Sequence, residues 1–427
     1  MLEIDVNSMG PEALQGALDV ARGRRNGEPV MPSAELLGLL EGAIECGASD
    51  LHLVPGYPAT YRVHGEMRVA GADAGSAEHP AGAEGEQIGA GARARRAAGR
   101  QGGRAGKAAV LDPAQTRDMV ESLVPERSRR LLEQSKNLDC SVSVMHKGVP
   151  CRFRASVYLS QGDWCACLRY IPNEIPSLEW LGISEELAQR LVAHRNGLVI
   201  ITGVTGSGKT ATLAALVKLL RQDASHRVIT IEEPIEYIHT PGTGGIVTQR
   251  EVGRDVDSFA DGLKHGLRQD PNVILVGEIR DRETAQMALS AAETGHLILT
   301  TLHTRDAKGA LSRFVDIFPQ EAQDDVRSQL AMSLRSVVCQ HLLPSTDESG
   351  KRVLALEVLH VNQAVQVAIR TGKIEMIESA IQTGKREGMI VLDDDLQRLV
   401  KAGRITAETA RDYAKDPAAI LGSGRTW

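Results

Sequence analysis

The chain is poor in aromatic residues: Phe, Trp and Tyr make up 3% of its 427 residues. Its cores must therefore be filled by aliphatic side chains. Cysteine is scarce and scattered, at positions 46, 140, 151, 165, 167 and 339, with no C-x-x-C pair. That spacing argues against a structural zinc module and leaves free thiols in a reducing cytoplasm as the expectation. No apolar run approaches the ~20 residues that a spanning helix needs, so any membrane association is expected to be peripheral. The opening Met1-Leu2-Glu3-Ile4-Asp5 is acidic and has no apolar core, unlike a signal peptide. A basic excess is missing too. The formal net charge of -6 gives no overall pull toward nucleic acid.

A chain of this length is expected to hold two or three domains. Residues 1–30 are polar and read as a poorly ordered start. Ser33 is a candidate N-cap for a helix to about Cys46, with Leu36, Leu37, Leu40 and Ile44 on one face. Short alternating strands over 50–54 and 59–63 flank the turn Pro55-Gly56-Tyr57-Pro58. From 72 to 107 the chain is almost all Ala, Gly, Arg and small polar residues, with Ile88 its single large aliphatic. Such a segment cannot offset its ordering entropy and reads as a disordered insertion. Its basic second half is better explained as a solvated loop than as a nucleic-acid patch. Helices over 113–124 and 126–134 and strands over 138–145, 151–159 and 165–171 complete a small α+β domain, residues 31–172. A linker, 173–189, leads to an α/β domain, 190–360. Its strands, at 197–202, 228–231, 273–276, 297–301 and 353–359, alternate with helical patterns, which predicts a mostly parallel sheet covered on both faces. The remainder, 361–427, reads as helical with a loose tail.

The densest signal is Gly203-Val204-Thr205-Gly206-Ser207-Gly208-Lys209-Thr210-Ala211, which fits G-x-x-x-x-G-K-[ST] at every fixed position. It lies between an apolar strand and a helical pattern, the context in which the motif forms a phosphate-binding loop. The glycines let successive backbone N–H groups turn toward phosphate, and the helix N-terminus adds positive potential. Lys209 is the candidate for the β- and γ-phosphates of ATP, and the Thr210 hydroxyl the candidate ligand for Mg²⁺.

Three further segments point to hydrolysis. In Ile231-Glu232-Glu233-Pro234-Ile235-Glu236, carboxylates sit just past a strand end, where ligands of such sheets bind. Glu232 is placed to orient or deprotonate an attacking water. In Val273-Ile274-Leu275-Val276-Gly277-Glu278, an apolar strand ends in an acid, so Glu278 is expected on the metal side, acting through water. In the third, His296 and His303 bracket the strand 297–301. His296 is expected to sense the γ-phosphate and to pass its state to a subunit interface.

Together these segments resemble the secretion-superfamily ATPases that drive type IV pili and type II secretion. Thr230 to Tyr237 resembles that family's Asp box, Asp270 to Asp281 its Walker B motif with glycine before glutamate, and Ala292 to Thr304 its His box. Gly47-Ala48-Ser49-Asp50-Leu51-His52-Leu53 and Gln249-Arg250-Glu251-Val252-Gly253 are similar to signatures of the PilT-like twitching-motility, or retraction, ATPases. The resemblance implies a RecA-like motor domain, a PAS-like N-terminal domain and a helical C-terminal extension, arranged in a homohexamer. It implies arginine fingers at Arg154 and Arg169, an inner-membrane platform protein as partner, pilin as an indirect one, no nucleic acid, and a cytoplasmic place at the inner membrane. Glu233 stands where the family usually has Asp, Gln366 where retraction ATPases carry an arginine, and 72–107 has no family counterpart. Assembly or type II secretion ATPases, an accessory retraction motor and a nucleic-acid translocase are the rival readings.

Overall fold

The computed structural model describes residues 32–63, 66–71, 109–124, 126–171, 174–347 and 352–421. The expectations for 1–30, for 72–107 and for the last residues of the tail lie outside them. The chain divides into two compact units, Met1–Ile171 and Pro172–Trp427.

In the first unit the Ser33 side chain accepts a hydrogen bond from the Leu36 N–H and starts the helix Ala34–Glu45. Six strands follow: β1 (Asp50–Leu53), β2 (Thr60–Val63), β3 (Glu66–Val69), β4 (Asn137–His146), β5 (Val149–Ser160) and β6 (Asp163–Ile171). They pair antiparallel in the order β3-β2-β1-β6-β5-β4. Period-two alternation decides which face is covered. Cys151, Phe153, Ala155 and Val157 of β5 are buried in one core with Leu36, Leu40, Met119 and Val120 from the helices Ala34–Glu45 and Pro113–Leu123. Arg152, Arg154, Ser156 and Tyr158 occupy the other, less buried face. Strand β3 is not foreseen in the sequence. It is an edge strand with three of its four residues exposed, so no buried alternation marks it.

The second unit holds β7 (Gly197–Thr202), β8 (Arg227–Glu232), β9 (Ile246–Glu251), β10 (Val273–Val276), β11 (Leu297–Leu302), β12 (Leu334–Pro344) and β13 (Arg352–His360). The order is β13-β12-β7-β11-β10-β8-β9. Every neighbouring pair is parallel except β12 and β13. The central strands β7, β10 and β11 are buried throughout, as expected of a parallel sheet with helices on both faces. Two apolar clusters flank it, one around Ile200, Ile231, Ile274 and Ile298, the other around Val199, Ile201, Leu275 and Leu299. This is the α/β architecture that the strand–helix alternation predicts.

Strands β9 and β12 are missing from the sequence reading for different reasons. β9 is an edge strand with an exposed Ile246, four partly buried residues and no apolar alternation. β12 follows the helix Gln323–Ser333 directly, with no Gly or Pro to mark the change of period. The stretch 173–189, read as a linker, contains the helix Leu178–Leu181 and the start of Glu185–Val192. Leu187, Ala188 and Leu191 of the latter pack with Leu213 and Leu216 in the core of the second unit. Beyond β13 come the helices Gln363–Arg370, Met376–Thr383, Leu392–Lys401 and Ala407–Tyr413. Leu392, Leu396 and Leu399 share a smaller core with Leu343, Val353 and Ala355 of the β12–β13 hairpin.

Candidate functional site

Parallel strands deliver their carboxyl ends to one edge of the sheet. In the order β7, β11, β10, β8 those ends lead into the glycine loop, His303, Glu278 and Glu232. Residues far apart in sequence thus meet on one rim, the place where ligands of such sheets bind.

The loop itself is built on glycine for steric reasons. Gly203 has φ +150°, and a Cβ there would lie 2.5 Å from the Gln340 carbonyl and 2.4 Å from Ser207 Oγ. Gly208 adopts φ 90° as N-cap of the helix Lys209–Leu220, with no side-chain cap hydrogen bond. The first N–H groups of that helix therefore meet no capping side chain and face the loop, the arrangement that receives an anion. Ser207 Oγ is buried without a hydrogen-bond partner among the described residues. Thr205 and Gly206 are exposed on the loop, while Thr210 and Ala211 are partly buried in the first helical turn.

Lys209 is buried, and its Nζ donates to the carbonyls of Gly203 at 2.9 Å and Val204 at 3.2 Å. Burial pulls the Lys209 pKa below the ordinary lysine value, against the nearby Glu278 carboxylate, which works to raise it. A triphosphate would supply the missing negative charge.

Glu278 stands beside Gly277, where a larger residue would be crowded against β8. Gly277 N–H donates to the Ile231 carbonyl at 2.8 Å, and Thr301 Oγ1 donates to the Gly277 carbonyl at 2.6 Å. A Cβ at 277 would lie 3.2 Å from the Ile231 carbonyl. The Glu278 carboxylate is paired with Arg280 and lies 3.2 Å from His303 Nε2. Arg280 also lies 3.8 Å from Glu233.

Glu232, the last residue of β8, is buried. Its Oε1 accepts from Thr230 Oγ1 at 2.6 Å and from Gln249 Nε2 at 3.1 Å. The neighbouring Glu233 is exposed.

The histidine assignment is corrected by the topology. His296 precedes β11, and its Nδ1 lies 3.2 Å from the Ala291 carbonyl. β11 runs parallel to β7, with Leu297 opposite Gly197 and Leu302 opposite Thr202. His296 is therefore at the amino edge of the sheet, about 20 Å along the strand from the phosphate-loop edge at ~3.3 Å per residue. The histidine brought to Lys209 is His303, whose Nδ1 is 3.5 Å from Lys209 Nζ. The signal was present in the sequence, since of two histidines bracketing a parallel strand only the second can share an edge with a loop that follows a strand. The loop carrying His303 is fixed by Thr202, whose Oγ1 lies 2.8 Å from Thr304 Oγ1 and accepts from the Thr304 N–H at 3.0 Å.

Arg154 and Arg169 belong to the first unit, where they are direct cross-strand partners on β5 and β6. Asp50 is the partner of Arg169 on β1, and its buried carboxylate accepts from Arg169 Nε at 2.8 Å. Asp50 thus explains the acid in Ala48-Ser49-Asp50-Leu51-His52: it orients the arginine across the sheet. Arg154 Nε lies 3.9 Å from Asp139. Among the described residues, no helix is long and apolar enough to cross a membrane.

Comparison with known proteins gives the family. The family model described as type II/IV secretion system protein matches residues 109–425. The type IV pilus retraction ATPase PilT of Pseudomonas aeruginosa is 37% identical over 383 residues, covering 90% of this chain and 99% of that protein. A twitching motility protein of Neisseria gonorrhoeae is 40% identical, covering 70% of this chain and 78% of its own. Among solved structures, that of the pilus retraction motor PilT with bound ADP superimposes with a TM-score of 0.72 at 36% identity, covering 90% of this chain and 98% of that one. With the family model spanning most of the chain and the phosphate loop, both acidic strand ends and His303 on one edge of its sheet, this chain belongs to the type II/IV secretion system protein family.

Proposed function

We propose that this protein is an ATP-hydrolysing motor that powers type IV pilus retraction, the activity named for its relative from Pseudomonas, in line with the twitching motility named for that from Neisseria. One observation carries the reading: Lys209, His303, Glu278 and Glu232 lie at or past the carboxyl ends of four adjacent parallel strands and share the phosphate-loop edge. A simple nucleotide-binding fold needs the loop alone. A hydrolase needs, in addition, carboxylates beside the γ-phosphate.

In this proposal Gly203, Thr205, Gly206, Ser207, Gly208 and Ala211 wrap the phosphates of ATP with backbone N–H groups, and Lys209 neutralises their charge. Glu232 orients and deprotonates the attacking water. His303, between Lys209 and Glu278, reads the γ-phosphate end. The hard oxygen donors of Thr210 and Glu278 fit Mg²⁺, which when bound would neutralise phosphate charge. Thr210 would hold it directly and Glu278 through water. Arg154 and Arg169 would complete the site as fingers from a neighbouring subunit of a homohexamer, where a planar, permanently charged guanidinium suits developing phosphate charge. The work would be passed to an inner-membrane platform protein, and through it to pilin, from the cytoplasmic side.

Gln366, on the helix Gln363–Arg370, favours a second reading as an accessory retraction motor. Deleting the gene in its host and counting surface pili alongside twitching tests both. Excess pili with lost movement would support the main retraction motor. A partial movement defect with normal pili would support the accessory role. Bald cells would overturn both and indicate assembly.

A further inference from the structure

We infer that Gln249 is a positioning residue for hydrolysis, which aims Glu232 at the attacking water by binding it and the loop that follows it with one side chain; this rests on the reading of Glu232 as the catalytic carboxylate.

Gln249 lies on β9, the edge strand beside β8, directly opposite Thr230. Thr230 and Glu232 are two residues apart on one strand, so they share a face, and Gln249 shares it with them. Its amide uses both ends. Nε2 donates to Glu232 Oε1 at 3.1 Å and to the Tyr237 carbonyl at 2.8 Å, while Oε1 accepts from the His239 N–H at 2.8 Å. Two residues further along β9, the buried Glu251 accepts from the Ile235 N–H at 3.1 Å. The segment 235–239 is therefore held to β9 at Ile235, Tyr237 and His239. Gln249 makes two of these three contacts and also reaches the carboxylate.

The chemistry of the amide matters. A carboxylate that must take a proton from water has to be ionised and held in one rotamer. Two donors, Thr230 Oγ1 and Gln249 Nε2, converge on the same oxygen, Oε1. They fix the carboxylate plane and hold it in one rotamer. Thr230 acts from within β8 and cannot report on the loop. Gln249 can, because any movement of residues 237–239 pulls on the same amide that orients Glu232. This gives Gln249 a role in the hydrolytic step, although it does not lie on the phosphate loop.

The test is steady-state and single-turnover ATPase kinetics of the full-length protein, with binding of a non-hydrolysable ATP analogue measured alongside. The variants are Gln249→Leu, the near-isosteric Gln249→Glu, Glu232→Gln, and Gln249→Leu combined with Glu232→Gln. Gln249→Leu should lower kcat about tenfold, a fraction of the 10²–10⁴ that a general base supplies, with KM and analogue affinity within about twofold. In the Glu232→Gln background it should cause no further loss, because residues acting as one unit are not additive. Gln249→Glu replaces the donor by a second carboxylate with almost no change of volume. It should lose as much kcat at pH 8 and recover part of it toward pH 6, where one of the two acids is protonated. That variant keeps the proposal testable should Gln249→Leu fail to fold.

Unchanged kcat in both Gln249 variants, with Glu232→Gln inactive, would overturn the positioning role and leave Glu232 in place. An equal loss on top of Glu232→Gln, or a KM rising in step with the fall in kcat, would also overturn it and reduce Gln249 to a loop anchor. Full turnover in Glu232→Gln would remove the base itself, and the role of Gln249 with it.

Discussion

His303 Nε2 lies 3.2 Å from Glu278 Oε2, while the other nitrogen of the same ring lies 3.5 Å from Lys209 Nζ. One imidazole thus spans the gap between the acidic end of β10 and the phosphate-loop lysine. Replacing His303 by Ala should leave the Lys209–Glu278 pair without its intermediate. Nucleotide affinity is expected to weaken about tenfold, the cost of losing a hydrogen bond to a charged group. His296→Ala, at the opposite edge of the sheet, should leave affinity unchanged. Titration with a fluorescent ATP analogue checks both. Equal losses would mean that the two histidines share a site that the parallel topology of β11 does not provide.

Lys209→Ala removes the buried ammonium that Gly203 and Val204 hold through their carbonyls. Those carbonyls would lose their donor, and the phosphates would lose the positive charge that balances theirs. Analogue binding should fall at least a hundredfold and turnover to background. Glu278→Gln should bind nucleotide but hydrolyse it more slowly. Its remaining turnover should need a higher Mg²⁺ concentration, seen in a metal titration after treatment with EDTA. A Glu278→Gln protein with the metal dependence of the parent chain would take Glu278 off the metal side.

How much of this was legible beforehand depends on what each residue's signal was. The phosphate loop was readable because steric need fixes its glycines in sequence, as at Gly203 against the Gln340 carbonyl. Strands β7, β10 and β11 were readable because burial on both faces leaves an unbroken apolar run. Edge strands carry no such run, so β3 and β9 were missed, and with β9 the partnership of Gln249 and Glu232. Choosing between His296 and His303 needed no more than the parallel sheet already implied by the strand–helix alternation, because only the histidine after β11 can share an edge with the loop after β7. The pairing of Asp50 with Arg169 spans 119 residues and depends on β1 lying beside β6, a register that no local pattern specifies.

Burial holds His360 and His239 at pKa values of about 4, well below the ordinary histidine value of 6.5, with nearby cationic side chains adding to the effect. Both rings are neutral in the fold at pH 5, whereas in the unfolded chain they would be largely protonated. The unfolded state then binds more protons, so stability is fully present above about pH 6.5 and is lost as pH falls toward 4. Each histidine can contribute a slope of up to about 1.4 kcal/mol per pH unit across that window. Urea midpoints between pH 4 and 7 should show the decline. His360→Gln should make it shallower, since Ser336 Oγ, 2.8 Å from His360 Nδ1, retains a polar neighbour. An identical slope in the variant would mean that His360 titrates alike in both states.

Glu357, on β13, is buried, and its two oxygens serve different masters. One accepts from the Ala307 N–H at 2.8 Å, at the start of the helix Ala307–Asp316, where a negative charge is favoured. The other lies 2.5 Å from Lys415 Nζ, beyond the helix Ala407–Tyr413. Burial works to lower the Lys415 pKa, but the Glu357 carboxylate outweighs it and holds the value above the usual lysine range. Its ionic contribution is therefore fully present at neutral pH and is lost only as pH rises through that raised value. Lys415→Met strands a buried carboxylate, which should cost about 3 kcal/mol in urea unfolding. Adding Glu357→Gln removes the stranded charge yet keeps an oxygen for the Ala307 N–H, so the double variant should recover most of the loss. Ala307 follows His303 by four positions, and the single variant should therefore also lower ATPase activity as that loop loosens. A double variant as unstable as the single would show that Lys415 stabilises the chain by packing alone, and that the C-terminal helices are not electrostatically tied to the nucleotide edge.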